Sequence, residues 1–167
     1  MKNSMYLVGQ ISAVFPETYD WRKRVKKYFS NNERYYVMDP CANAFNQAVQ
    51  DAKMDRKEIL DGSMKWEETE GIKFQGVNML VPKDRTFVSK ADIIMANMIQ
   101  YDPDRPLLGS FFELAWAYDC PTTTVVGIYN GDPKDDYVCA HPFVWQAVDA
   151  WAKNEQEACQ LIDYYFT

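Results

Sequence analysis

Glu113 stands within LLGSFFELAWAYDCPTTTVVGIY, residues 107–129, a stretch that reads as a loop, an amphipathic helix and a buried strand. The helical pattern spans residues 111–118, so Glu113 falls in the first turn, with Gly109 and Ser110 in the loop just ahead. A helix N-terminus stabilises a negative charge by roughly 0.3–1 kcal/mol, which alone is enough to explain an acidic residue there. The same field keeps the carboxylate ionised, the form that acts as a nucleophile, and Ser110 at that terminus could hold a phosphate. A second acid, Asp84, lies in PKDRTFVSKAD, where it could cap the helix ahead of the next strand. Asp92 opens the apolar run DIIMANM and would fix a strand terminus.

A second group of polar residues follows the first apolar run. Tyr6 begins that run and Gly9 ends it, where a glycine lets a ligand approach the backbone closely. Gln10 and Ser12 come next, and the Ser12 hydroxyl could bond a hydroxyl or a phosphate. Trp21 and Arg22, on the first turns of the following helix, could reach the same mouth, although an arginine among other basic residues is more often solvated. His141 is the only histidine and reads as a loop hydrogen-bonder. Cys41, Cys120, Cys139 and Cys159 form no CxxC pair, so reduced structural thiols and no metal are expected. Neither a P-loop nor a GxGxxG fingerprint occurs, and no cofactor is expected.

These residues need elements to hold them, and the chain supplies strands and helices in alternation. Strands are expected at 5–9, 34–39, 91–98 and 122–129, and helices at 17–30, 111–118 and 154–166. That rhythm implies a parallel sheet with right-handed crossovers, an α/β three-layer sandwich with helices on both faces. Residues 41–82 form an insertion too long for a simple connection, with a helical stretch at 43–60 and a polar, Trp-bearing one around 65–75. Such excursions are often lids or interface elements. No repeat or low-complexity linker calls for a second domain, so residues 1–167 are expected to fold as one. In open parallel sheets ligands bind beyond the carboxyl ends of the strands, which selects the loops at 9–12, 102–110 and 129–136.

Composition narrows the partners. With 47% apolar and 15% aromatic residues the chain has ample material for a core, while 24 acidic against 18 basic residues give a net charge of −6. A surplus of negative charge opposes binding to a polynucleotide or an anionic membrane surface. No signal-peptide pattern or membrane-length run is present, so a cytoplasmic protein acting on a small molecule is expected.

Three segments in order, YLVGQIS, VPKDRTFVSKADIIMANM and GSFFELAWAYDCPTTTVVGIY, resemble the nucleoside 2-deoxyribosyltransferase family and its nucleotide N-glycosidase relatives. The resemblance spans most of the chain and leaves residues 41–76 unaccounted for. It implies a flavodoxin-like, Rossmann-like fold that cleaves the N-glycosidic bond between a (deoxy)ribose and a base. It further implies that Glu113 attacks the anomeric carbon and that Asp84 handles the base. Carboxylate pairs do comparable work in glycosidases, and burial of Asp84 would suit it as the acid. Tyr6, Gly9, Gln10, Ser12, Asp92, Gly109 and Ser110 become substrate-binding positions.

Two departures bear on the substrate. Where the transferases carry an aspartate six residues before the nucleophile, and the nucleotide hydrolases a serine, this chain has Leu107. Asp104 or Asp102 could take over a sugar hydroxyl, while Ser12 and Ser110 could bind a 5′-phosphate, so nucleoside and 5′-monophosphate both stay open. The transferases also lend a terminal carboxylate to a neighbouring subunit, whereas this chain ends YYFT at Thr167. A homo-oligomer is expected. The rival to an enzyme is a protein that binds or senses a nucleotide-like ligand without cleaving it.

Overall fold

A computed structural model describes residues 2–51 and 77–166. Five strands form one parallel sheet in the order β2-β1-β3-β4-β5: β1 (Asn3–Gly9), β2 (Tyr35–Met38), β3 (Ile93–Asn97), β4 (Thr124–Ile128) and β5 (Ala150–Ala152). The helices are α1 (Glu17–Phe29), α2 (Ala44–Asp51), α3 (Val77–Lys90), α4 (Leu108–Tyr118), α5 (Pro142–Ala147) and α6 (Glu155–Tyr165). This is the flavodoxin-like three-layer sandwich, with the strand order reversing between β1 and β3.

Strand parity builds the two cores. Consecutive side chains of a strand face opposite sides of the sheet. Met5 and Leu7 of β1 therefore join Ile93, Met95, Val126 and Ile128 beneath α1 and α6. Tyr6 and Val8 turn the other way, onto Ile94, Ala96 and Val125 beneath α3, α4 and α5. Both faces are covered, which is why these strands are continuous apolar runs rather than alternating ones. Parity thus delivers the hydroxyl-bearing Tyr6 to the layer that contains α3 and α4.

Several boundaries differ from the sequence expectation, each for a local reason. Tyr6 lies in the middle of β1 and is fully buried, since the strand begins at Asn3. α4 begins at Leu108, so Gly109 and Ser110 are helical and Glu113 sits in the second turn, away from the exposed N–H groups that were expected to favour its charge. α3 runs from Val77 through Pro82 to Lys90, so Asp84 lies in the helix interior and caps nothing. β5 and α5 are short elements that the pattern did not suggest. Of the insertion at 41–82, α2 covers the start of the expected 43–60 helix, and α3 covers the insertion's last residues, 77–82. Residues 52–76, including the Trp-bearing stretch, lie outside the described residues, as does Thr167. Among the described residues no helix is long and apolar enough to cross a membrane.

Candidate active site

The carboxyl ends of β1 and β3 are tied together before any ligand arrives. Gln10 Nε2 donates to the carbonyls of Asp102 (2.9 Å) and Arg105, while its Oε1 accepts from the backbone N–H groups of Tyr101 (2.9 Å) and Asp102 (2.7 Å). Ser12 Oγ donates to Asp102 Oδ2 at 2.8 Å, and Arg105 Nε lies 3.5 Å from the same oxygen. Gln10, Ser12 and Asp102 are all buried, and these mutual bonds occupy them. The first two were expected to meet substrate, and Asp102 was one of two stand-ins for a sugar-hydroxyl ligand. Their geometry instead makes them a clamp between the two loops. Asp104, the other stand-in, is exposed, with its backbone N–H on Asp102 Oδ1.

Arg22 reinforces that clamp from α1. It is 1% exposed rather than solvated, stacks on Trp21 at 4.6 Å and donates to the carbonyls of Gly9 (2.8 Å), Gln10 (3.2 Å) and Thr18. Its Nε has no hydrogen-bond partner and lies 3.9 Å from Asp39 Oδ1. Gly9 is required by packing, because a Cβ there would come within 3.1 Å of both Asn97 O and the Trp21 ring.

The chemistry-bearing group lies under α3 and α4. Tyr6 Oη donates to Glu113 Oε1 at 2.6 Å, in a buried setting that joins residues 107 apart in sequence. Asp84 interacts with the same phenol, so one hydroxyl stands between two carboxylates. Phe87, one turn beyond Lys83 on α3, packs its ring 5.7 Å from that of Tyr6. Asp84 Oδ1 is buried without a hydrogen-bond partner, although the Lys83 ammonium lies 3.0 Å away.

Burial dominates the electrostatics of Glu113. It pushes the carboxyl up to about 8; the hydrogen bond from Tyr6 opposes that rise, the charge of Asp84 adds to it, and Arg22 and Lys83 pull it down. Loss of hydration disfavours the charged form more than its neighbours restore it. The expectation of a carboxylate favoured by a helix terminus is therefore corrected: Glu113 is buried in the second turn, where loss of hydration pushes its carboxyl up. Burial, then Glu113 and Asp84, also push the Tyr6 phenol well above its ordinary value.

Other expected residues fall elsewhere. Asp92 is exposed at the amino end of β3, where its Oδ2 accepts from Ser4 N and Ser4 Oγ, both at 2.7 Å, so it fastens β1 to β3 at the opposite end of the sheet. Ser110 is buried within α4, and Gly109 is exposed in its first turn with nothing within 4 Å of where a Cβ would stand. Leu107 belongs to the core beneath α4. His141 precedes α5 with its ring edge against Phe143. A cavity of about 890 Å³ lies between α4 and α5, lined by Phe111, Leu114, Tyr118 and Val144 among others, and it includes none of Tyr6, Asp84 and Glu113. All four cysteines are free, three of them buried.

Sequence reasoning missed Lys83 and the burial of Arg22. The signal for Arg22 was its place three residues before Val25 on the apolar stripe of α1. Lys83 has no such signal, because its contacts come from distant segments.

No family model and no curated protein matches the chain. Among solved structures it is similar in fold to a conserved protein from Enterococcus faecalis V583, with a TM-score of 0.63 and 11% identity over 98% of this chain and 99% of that one. It is also similar to a 2-desoxiribosyltransferase from Leishmania mexicana, with a TM-score of 0.59 and 11% identity over the same shares. At that identity the likeness is one of fold, and it extends over nearly the whole of each chain.

Proposed function

We propose that this protein breaks the N-glycosidic bond of a nucleoside or 5′-nucleotide and passes the sugar to another base or to water. The observation that carries the reading is the 2.6 Å bond from buried Tyr6 to buried Glu113, with the Asp84 carboxylate coupled to the same phenol. A charge-bearing group buried at such cost is a functional-site candidate on physical grounds. The full-length fold similarity to a protein named as a deoxyribosyltransferase supports the substrate class.

In this mechanism the ionised Glu113 oxygen bonds to C1′ while the C1′–N bond breaks and its electron pair leaves with the base. Asp84 receives the departing base and assists its protonation. The glycosyl ester is then displaced by a second base or by water, whose proton leaves by the same route. Tyr6 holds Glu113 Oε1 in line throughout. The resident ligand is a small molecule, no cofactor takes part, and the chain works as a single domain in the cytoplasm.

Incubation with a panel of nucleosides and 5′-monophosphates, with and without a second free base, tests the reading by chromatography. Release of base in water alone identifies a hydrolase, and exchange only with added base identifies a transferase. Intact ligand despite measurable binding would replace the enzyme with a sensor. Asp84→Asn is expected to lower the rate more for poor leaving groups than for activated ones. Equal losses across the series would reduce Asp84 to a structural residue.

The outer face of α4 supports self-association. Leu108, Phe112 and Tyr118 are each more than half exposed, and the one charge in this helix, Glu113, is turned inward. Leu108 and Phe112 are one turn apart on the same helix face, and exposed apolar surface of this kind can mark an interaction site. Light scattering at micromolar protein is expected to give a homo-oligomer, and an active monomer would end that part of the reading.

A further inference from the structure

Lys83 and Asp84 are neighbours on α3, and side chains one residue apart on a helix point about 100° away from each other, so they do not ordinarily meet. Here Lys83 Nζ lies 3.0 Å from Asp84 Oδ1. A third group accounts for the bend. Lys83 Nζ donates at 3.0 Å to the carbonyl of Pro40, in the loop that follows β2. That carbonyl is itself fixed, since Asn43 Nδ2 and Asn46 Nδ2 donate to it at 2.6 and 3.0 Å. The Lys83 ammonium also stands 5.9 Å from the centre of the Phe87 ring, on the side chain that packs against Tyr6. A residue only 24% exposed is thus drawn inward by a loop from another part of the sheet.

The charges around it do not balance without it. Tyr6 from β1 has one proton to donate, and that proton goes to Glu113 on α4. Asp84 Oδ1 receives no hydrogen bond. Facing these two carboxylates are Lys83 from α3 and Arg22 from α1, with the Cys41 thiol beside both cations and both Asp39 and Asp84 close to that thiol. Arg22 is already committed to the backbone carbonyls of Gly9, Gln10 and Thr18 and faces Asp39. Lys83 is the cation that stands against Asp84 itself.

We propose that Lys83 is a positioning residue of this site, whose ammonium, anchored on the Pro40 carbonyl, holds Asp84 in place and eases a negative charge on Glu113. The inference rests on the glycosidic reading for its use, but not for its test. Without the ammonium, two carboxylates around one phenol repel, and Glu113 retains its proton to higher pH. The nucleophilic fraction at neutral pH then falls. The link also ties Asp84 to the turn at Pro40, whose carbonyl Asn43 and Asn46 hold.

The test is a carboxyl titration of the free protein by ¹³C NMR with labelled glutamate side chains, Glu113 being assigned by its absence in Glu113→Gln. In Lys83→Met the Glu113 midpoint is expected to rise, because Lys83 is one of the two cations that pull it down. Lys83→Gln, which keeps a donor for Pro40 O but no charge, is expected to show the same rise, and Lys83→Arg to restore the wild-type midpoint. The acidic limb of the kcat/KM profile should move with it. An unchanged midpoint in both neutral variants, or an equal rise in Lys83→Arg, would overturn the proposal. Because the titration needs no substrate, a shifted midpoint without turnover would sink the glycosidic reading and leave Lys83 standing, while turnover with no shift would do the reverse.

Discussion

Glu113→Gln is expected to abolish turnover, by at least about 10³-fold, and at the same time to make the protein more stable above pH 8. The first effect follows from the proposed mechanism, in which removing the nucleophile leaves only the binding and electrostatic parts of catalysis. The second follows from burial. The Glu113 carboxyl rises from 4.5 to about 8 on folding, so between those values the folded state binds a proton that the unfolded state has released. Its contribution to stability is complete below pH 4.5 and is lost as pH rises through 8. At about 1.4 kcal/mol per unit the amount is on the order of a few kcal/mol. Glutamine is neutral throughout and still accepts from Tyr6, so the variant lacks this slope. Urea titrations at several pH values read the stability, and chromatography reads the turnover. Wild-type rates in Glu113→Gln would remove the mechanism, and parallel stability curves for the two proteins would remove the buried neutral carboxyl.

The same burial predicts that kcat/KM in the wild type climbs with pH toward a limb near 8, because the reactive species is the ionised one. Tyr6→Phe should move that limb upward. The phenol donates to Glu113 Oε1 at 2.6 Å, and a bond to a charged acceptor is worth about 1.5–3 kcal/mol. Its loss therefore costs roughly 10–100-fold at pH 7, by about 1.4 kcal/mol per decade, with recovery as pH rises. Phenylalanine keeps the packing on Phe87 and the core beneath α3 and α4, so folding should survive. A profile superimposable on the wild type would show that the phenol neither tunes nor orients the carboxylate. A uniform fall at every pH would leave it orientation alone.

The fold was legible because long apolar runs and amphipathic helices announce themselves locally. β1, β3, β4, α1 and α6 lie within a few residues of their expected places. β5 spans only Ala150–Ala152 and α5 only Pro142–Ala147, too short for any period to register. Glu113 was found, but its environment was misread: Gly109 and Ser110 look like loop residues, yet α4 takes them into its first turn and carries Glu113 inward. Asp84 was likewise read as a cap for the helix ahead of β3, whereas α3 begins at Val77 and carries it in the interior. The clamp around Gln10 and the Lys83 anchor are contacts across 91 and 43 residues, set by the sheet order and not by neighbouring sequence.

Glu113 and Tyr6 ride on a helix and a central strand, joined by a hydrogen bond through a packed layer, while the loops around them are already fastened by Gln10, Ser12 and Arg22. Such a frame leaves these residues little room to travel during a reaction. If one carboxylate serves both halves of a sugar transfer, the motion falls to the substrate: the anomeric carbon swings from base to Glu113 and back, like a shuttle between two fixed posts. Bound and free forms would then differ more in the water they hold than in the course of the backbone.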